Sequence, residues 1–160
     1  MTDGRDAVAA LEAQAERWET PCGTGSLVWR GWGQGAPVLA LHGASGSWRH
    51  WFRNIPFLAR HYRLIAADMP GYGDSALPHG PLTPQSLADA LLAGLDTIIG
   101  PGTPVPVLGF SFGGIIGLSS CQFGLAVTGG APGVGKAVNA TVVASAAGMF
   151  VADYVVSFAL

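Results

Sequence analysis

Ser111 stands at the centre of Gly109-Phe110-Ser111-Phe112-Gly113, a G-x-S-x-G pattern that follows the apolar run Val105-Pro106-Val107-Leu108. Gly114-Ile115-Ile116-Gly117-Leu118 comes next and has the composition of a helix start. A serine between a strand and a helix, with glycines two before and two after it, is the pattern of a nucleophile elbow. The turn forces the serine into a strained backbone conformation, and the small flanking residues let strand and helix pass without collision. A serine hydroxyl is a poor nucleophile until a base takes its proton, so the chemistry such a serine could do is nucleophilic attack with an accompanying base. Gly makes up 24 of the 160 residues, so the pattern alone is weak and its weight comes from its place at a strand end.

Two further stretches carry polar groups at the ends of apolar runs. Pro37-Val38-Leu39-Ala40-Leu41 leads into His42-Gly43-Ala44-Ser45-Gly46, and Tyr62-Arg63-Leu64-Ile65-Ala66-Ala67 leads into Asp68-Met69-Pro70-Gly71-Tyr72-Gly73-Asp74-Ser75. In an open α/β sheet, ligands bind outside the carboxyl ends of the strands, and His42, Asp68 and Ser111 all fall at that edge. Other chemistries find little support. The net charge of −2 argues against a nucleic-acid partner. Cys22 and Cys121 lack metal-ligand spacing and read as free thiols of a cytoplasmic chain, so neither metal nor cofactor is expected. Gly130 to Lys136 fits G-x-x-x-x-G-K, but Ala137 replaces the hydroxyl residue that would hold magnesium. The polar start Met1-Thr2-Asp3-Gly4-Arg5-Asp6 has no secretory apolar segment.

The elements that must position these groups follow from pattern. Residues 6–19, rich in Ala, Leu, Glu and Gln, read as a surface helix preceding the core. Residues 25–35 read as one or two edge strands between glycines. The apolar runs at 37–42 and 62–67 read as strands buried on both faces of a parallel sheet. Residues 48–61 have a helical pattern interrupted at Pro56, and Thr83-Pro84 provides an N-cap and first-turn proline for a helix to Ile99. This alternation predicts an α/β fold with right-handed crossovers.

With the three motifs in this order and separation, residues 20 to 118 resemble the α/β-hydrolase family. The resemblance implies a partial α/β-hydrolase fold, with a parallel sheet and flanking helices, and serine hydrolysis of an ester or related small acyl substrate. It makes Ser111 the nucleophile, with the backbone N–H of Phe112 as one oxyanion donor and that of Ala44, or of Ser45, as the other. His42 is expected to shape the oxyanion loop, and Asp68 and Asp74 to form a turn bracing the sheet edge. One departure is plain. The family order places an acid and then a histidine after the serine, yet His42, His50, His61 and His79 all precede Ser111, and Asp153 is the one acid after it. The expectation is a hydrolase domain truncated after the elbow and catalytically impaired.

Beyond Leu118 the composition changes. Residues 1–96 hold nine carboxylates and seven arginines, whereas from Thr97 onward only Lys136 and Asp153 are charged. The stretch from Cys121 to Asn139, with its Gly-Gly-x-x-Gly-Val-Gly-x-Ala-Val-Asn segment, is similar to the C-terminal end of lipid-trafficking ABC permeases that accompany mammalian-cell-entry proteins. Ala137 to Leu160 contains one charge, Asp153, and is long enough to span a hydrocarbon core of about 30 Å. Ala144, Ser145, Ala147 and Gly148 suit helix packing in a membrane; burial against the hydrolase sheet is the competing reading. The expected organisation is an N-terminal helix over 1–19, a partial hydrolase domain over 20–118 and an apolar permease-like tail over 119–160 ending in a helix. Two half-families in one chain suggest a fusion, a rearranged gene or an assembly error, and the tail offers membrane contact through 137–160. The alternative is a non-catalytic, membrane-inserted fragment related to such a permease.

Overall fold

A computed structural model describes residues 4–117. The chain divides into two units, Met1–Gly117 and Leu118–Leu160. The permease-like tail over 119–160 and its apolar helix, expected from the sequence, lie outside the described residues. In order come α1 (Gly4–Ala13), β1 (Glu16–Cys22), β2 (Gly25–Trp32) and β3 (Pro37–Leu41). A 3₁₀ turn (Trp48–Trp51), α2 (Ile55–Leu58), β4 (Arg63–Ala67), α3 (Pro84–Ile99) and β5 (Val107–Gly109) follow. Residues 112–117 are helical. The strands form one sheet in the order β1-β2-β4-β3-β5.

The sheet is mixed rather than parallel. β3 runs parallel to β4 and β5, as the buried apolar runs predict, but β1 and β2 form a hairpin that adds to β4 antiparallel. Side chains alternate between faces along each strand, and here both faces are covered. Leu39, Leu41, Ile65 and Ala67 pack with Leu27 and Trp29 beneath Leu87, Ala88, Leu91 and Leu95 of α3. Val38, Ala40, Leu64 and Ala66 face the other way, against Trp32, Trp48 and Ile55, with Val8 and Leu11 of α1 at the margin.

Two element readings need correction. The N-terminal helix ends at Ala13, and Glu16–Cys22 is a strand. Good helix formers lose here to pairing. β1 matches β2 residue for residue from Glu16↔Gly31 to Cys22↔Gly25. Trp18 lies over Gly31, where a Cβ would sit 2.4 Å from the indole Cη2. The Trp29 Nε1–H also donates to Thr20 Oγ1 at 2.9 Å. Residues 25–32 form one strand, and it is internal rather than an edge, because the hairpin places β1 outside it.

The second helix region breaks as expected around Pro56, which sits in the first turn of α2. α3 begins where the sequence places it. Thr83 Oγ1 accepts from Ser86 N–H at 3.1 Å, and Ser86 Oγ accepts from Thr83 N–H at 3.0 Å, a complete capping box.

Arg30, 4% exposed on β2, ties these layers together. Its guanidinium pairs with Asp68 (3.1 Å), Glu12 of α1 (2.7 Å) and Asp74, and lies 5.4 Å from the Trp48 ring centroid. Asp68, 1% exposed, also accepts from the backbone N–H of Trp48 at 2.7 Å and of Asp74 at 3.1 Å. Removing one partner of such a buried pair leaves an uncompensated charge. Arg30→Ala is therefore expected to cost about 3–5 kcal/mol of stability. Urea denaturation of the full chain measures this; a loss under about 1 kcal/mol, the range of an exposed pair, would refute it.

Candidate active site

The loop after β3 is built around His42, which is fully buried. Its Nε2 lies 2.9 Å from the Met69 amide, which can only donate, so Nε2 accepts and Nδ1 carries the proton. Nδ1–H then donates to Gly43 O at 2.7 Å. Both ring nitrogens are thus committed, and the imidazole joins the loop after β3 to the loop after β4. Burial holds the His42 pKa below its ordinary value, in keeping with a neutral ring. These bonds give His42 a structural part in the loop.

The loop then turns through Ala44 and Ser45. Gly46 N–H donates to Gly43 O at 3.2 Å, and Ser45 adopts the left-handed region at φ 58°. Gly43 N–H donates to Nδ1 of His50 over a long 3.4 Å. Gly43 is therefore satisfied at both ends. The N–H groups of Ala44 and Ser45 have no acceptor among the described residues.

The elbow docks against this loop. Phe110 N–H donates to Leu41 O at 3.0 Å, carrying the β3–β5 pairing into the turn. Ser111 has φ 53°, and Ser45 and Ser111 are the two non-glycine residues with positive φ among those described. The helix opens with Gly114 N–H donating to Ser111 O at 2.9 Å. Phe112 N–H, in the first turn, has no acceptor among the described residues, because the first amides of a helix have no carbonyl one turn earlier to donate to.

The two outer glycines are sterically required. A Cβ at Gly109 would lie 2.4 Å from Gly114 Cα, and one at Gly113 would lie 2.2 Å from Leu41 O. Gly43 sits beside Ser111, since a Cβ there would be 3.4 Å from Ser111 Cβ and 2.9 Å from Phe110 Cδ1. The structure thus brings Ser111, Phe112 and the Ala44–Ser45 turn to one sheet edge.

Among the described residues it brings no base to Ser111, whose hydroxyl makes no hydrogen bond with them. Asp68 and Asp74 are engaged by Arg30, and the hydrogen bond from that guanidinium holds the Asp74 carboxyl below its usual range. Those bonds brace the sheet edge. Asp153 lies outside the described residues. Among the described residues no group of three or more His, Cys, Asp or Glu gathers as metal ligands, and no helix is long and apolar enough to cross a membrane. Two participants escape the sequence reading. Arg30 lies in a run whose pattern suggests an edge strand, and His50 in a stretch that shows only a helical period.

Comparison with known proteins bears on the fold and the family. Residues 38–159 match the model of the alpha/beta hydrolase family, and the chain belongs to that family. Among solved structures, it is similar to an epoxide hydrolase from Vigna radiata, at 29% identity and a TM-score of 0.62, over 70% of this chain and 37% of that one. An α/β-hydrolase-fold protein from Burkholderia ambifaria is 27% identical with a TM-score of 0.58, over 69% of this chain and 40% of that one. A putative lipase from Acinetobacter baumannii shares the fold at 20% identity and a TM-score of 0.61, over 77% of this chain and 43% of that one. The chain thus spans less than half the length of each. The family match runs past residue 118, where the sequence reading ended the hydrolase. A separate match of 46 residues, 50% identical, links the chain to the chloroplastic protein TRIGALACTOSYLDIACYLGLYCEROL 1 of Arabidopsis thaliana, covering 29% of this chain and 13% of that protein.

The buried ring of His42 makes stability depend on pH. Its pKa is depressed on folding below the ordinary 6.5, so below that pH the unfolded chain binds more protons here. The His42 contribution is fully present above 6.5 and is lost as pH falls from there toward the lower folded value. Urea midpoints at about pH 7.5 and about pH 5.5 test this. The drop on acidification should be smaller in His42→Asn than in the parent, and an equal drop would rule the linkage out.

Proposed function

We propose that the chain is a serine hydrolase of the α/β type acting on an ester or related small acyl compound, with Ser111 as nucleophile. The observation that carries this reading is a serine with positive φ lying beside the loop after β3, with backbone amides on both sides unpaired among the described residues. Phe112 N–H at the helix start, and Ala44 N–H or Ser45 N–H in the turn after β3, are the donors this reading assigns to the oxyanion, and none of them has an acceptor among the described residues. Attack by Ser111 Oγ on a carbonyl carbon places negative charge on the carbonyl oxygen. Preorganised N–H donors and the positive end of the helix stabilise that charge. The hydroxyl proton must leave as the bond forms, and a base is needed again to activate water for deacylation.

No histidine follows Ser111 within these 160 residues, and His42 cannot serve because both its nitrogens are bonded. The chain alone is therefore expected to acylate slowly and turn over poorly. An oxyanion hole with binding alone leaves about 10³-fold or more over water. That is enough for a reactive phosphonylating probe to report the nucleophile.

The test is labelling of the full chain by a fluorophosphonate, with the modified residue located by mass spectrometry. Labelling at Ser111 that disappears in Ser111→Ala is the expected result. Equal labelling of parent and variant, or an unlabelled parent, would refute the site.

A further inference from the structure

We infer that His50 is a positioning residue for the oxyanion turn, acting through its Nδ1 acceptor on Gly43 N–H. The inference rests on the nucleophile reading above, but its structural half can be measured independently of it.

Four observations converge on this ring. Nδ1 accepts from Gly43 N–H at 3.4 Å, across the start of the turn that presents Ala44 and Ser45. The ring fills the place where Gly46 has no side chain, since a Cβ there would lie 2.3 Å from Cε1 and 2.7 Å from both nitrogens. One edge-to-face contact joins it to His42, with centroids 5.9 Å apart. A second joins it to Phe110, the residue before the nucleophile, at 5.7 Å. His50 therefore touches both ends of the Gly43–Gly46 turn and the elbow that faces it.

The physical consequence is directional. Four amides at this turn could point toward the serine: those of Gly43, Ala44, Ser45 and Gly46. Gly46 N–H is spent on Gly43 O, and His50 takes Gly43 N–H away from the site. The pair left without an acceptor among the described residues is Ala44 and Ser45. The strained φ of Ser45 persists only if its surroundings over-determine it. The hydrogen bond at one end and the ring packed under the other supply that restraint. His50 itself is seated by the 3₁₀ turn, whose first amide, Trp48 N–H, is fixed by Asp68.

Two substitutions separate the acceptor from the ring. His50→Phe keeps the ring and its edge contacts but removes the acceptor, whereas His50→Asn keeps an acceptor at the Nδ1 position in a smaller side chain. On the full chain, two readouts are taken: the rate of fluorophosphonate labelling at Ser111, and amide hydrogen exchange at Gly43. Exchange at Leu39 and Ile65 in the sheet is followed alongside, so that a variant that simply unfolds is recognised. Labelling is expected to slow by about tenfold or more in His50→Phe, within the ~10²-fold that a small misplacement of catalytic groups can cost. Gly43 exchange should accelerate in the same variant with Leu39 and Ile65 unchanged, and His50→Asn should restore both readouts toward the parent. Parent-like labelling and Gly43 exchange in His50→Phe would overturn the inference, as would equal damage from both variants. If the parent is not labelled at Ser111 but Gly43 exchange still responds to Phe and not to Asn, the nucleophile reading fails and the hold of His50 on the turn stands.

Discussion

A guanidinium buried against the sheet is the constraint on which the rest of the structure depends. Arg30 cannot lose its charge, so its place on β2 obliges carboxylates to come to it. They come from three separate segments: Glu12 from α1, Asp68 from the end of β4, and Asp74 from the loop beyond. Asp68 passes the constraint on, holding the Trp48 amide with one oxygen and the Asp74 amide with the other. Buried ion pairs are weak evidence of net stability, because desolvation offsets much of the attraction. Here the cluster influences where chain segments lie, since moving α1 takes Glu12 from Arg30 and moving the 3₁₀ turn takes the Trp48 amide from Asp68.

The site is reached from that cluster in two steps. Asp68 seats the 3₁₀ turn that carries His50, while the next residue, Met69, gives its amide to His42. Through these two imidazoles, the loop after β4 governs the loop after β3. The loop after β3 then meets the elbow through Leu41 O and Gly43. Two serines in left-handed conformations, each costing on the order of 1–3 kcal/mol, stand at the point of contact. A fold keeps such conformations only where the surrounding bonds leave no alternative, and here the bonds trace back to Arg30.

Much of this was legible in the sequence because it depends on local chemistry. Thr83-Pro84 specifies a helix start wherever it occurs, since an N-cap hydroxyl and a first-turn proline act on neighbouring amides. The runs at 38–41 and 64–67 are apolar at every position, as strands with both faces buried must be. Gly109 and Gly113 flank Ser111 because a Cβ at either would collide with the backbone of the following helix or of β3. The strand character of β1, the hairpin and the role of His50 were not legible. Residues 14–19 have helix-forming composition, and only their pairing with β2 and the seating of Trp18 over Gly31 make most of them a strand. Those contacts join residues that no periodicity relates.

The sequence by itself therefore determined the parallel core of the sheet, α3 and the elbow with its serine. Each is marked by a short run of residues: an apolar stretch, an N-cap with its proline, or glycines on either side of a serine. Only the tertiary structure decided that β2 is internal, that Arg30 is the buried hub, and that His42 has no free nitrogen. It also decided which amides at the sheet edge are taken up by neighbouring groups. Those properties depend on distant segments competing for the same hydrogen-bonding groups, and that competition is resolved in space rather than along the chain.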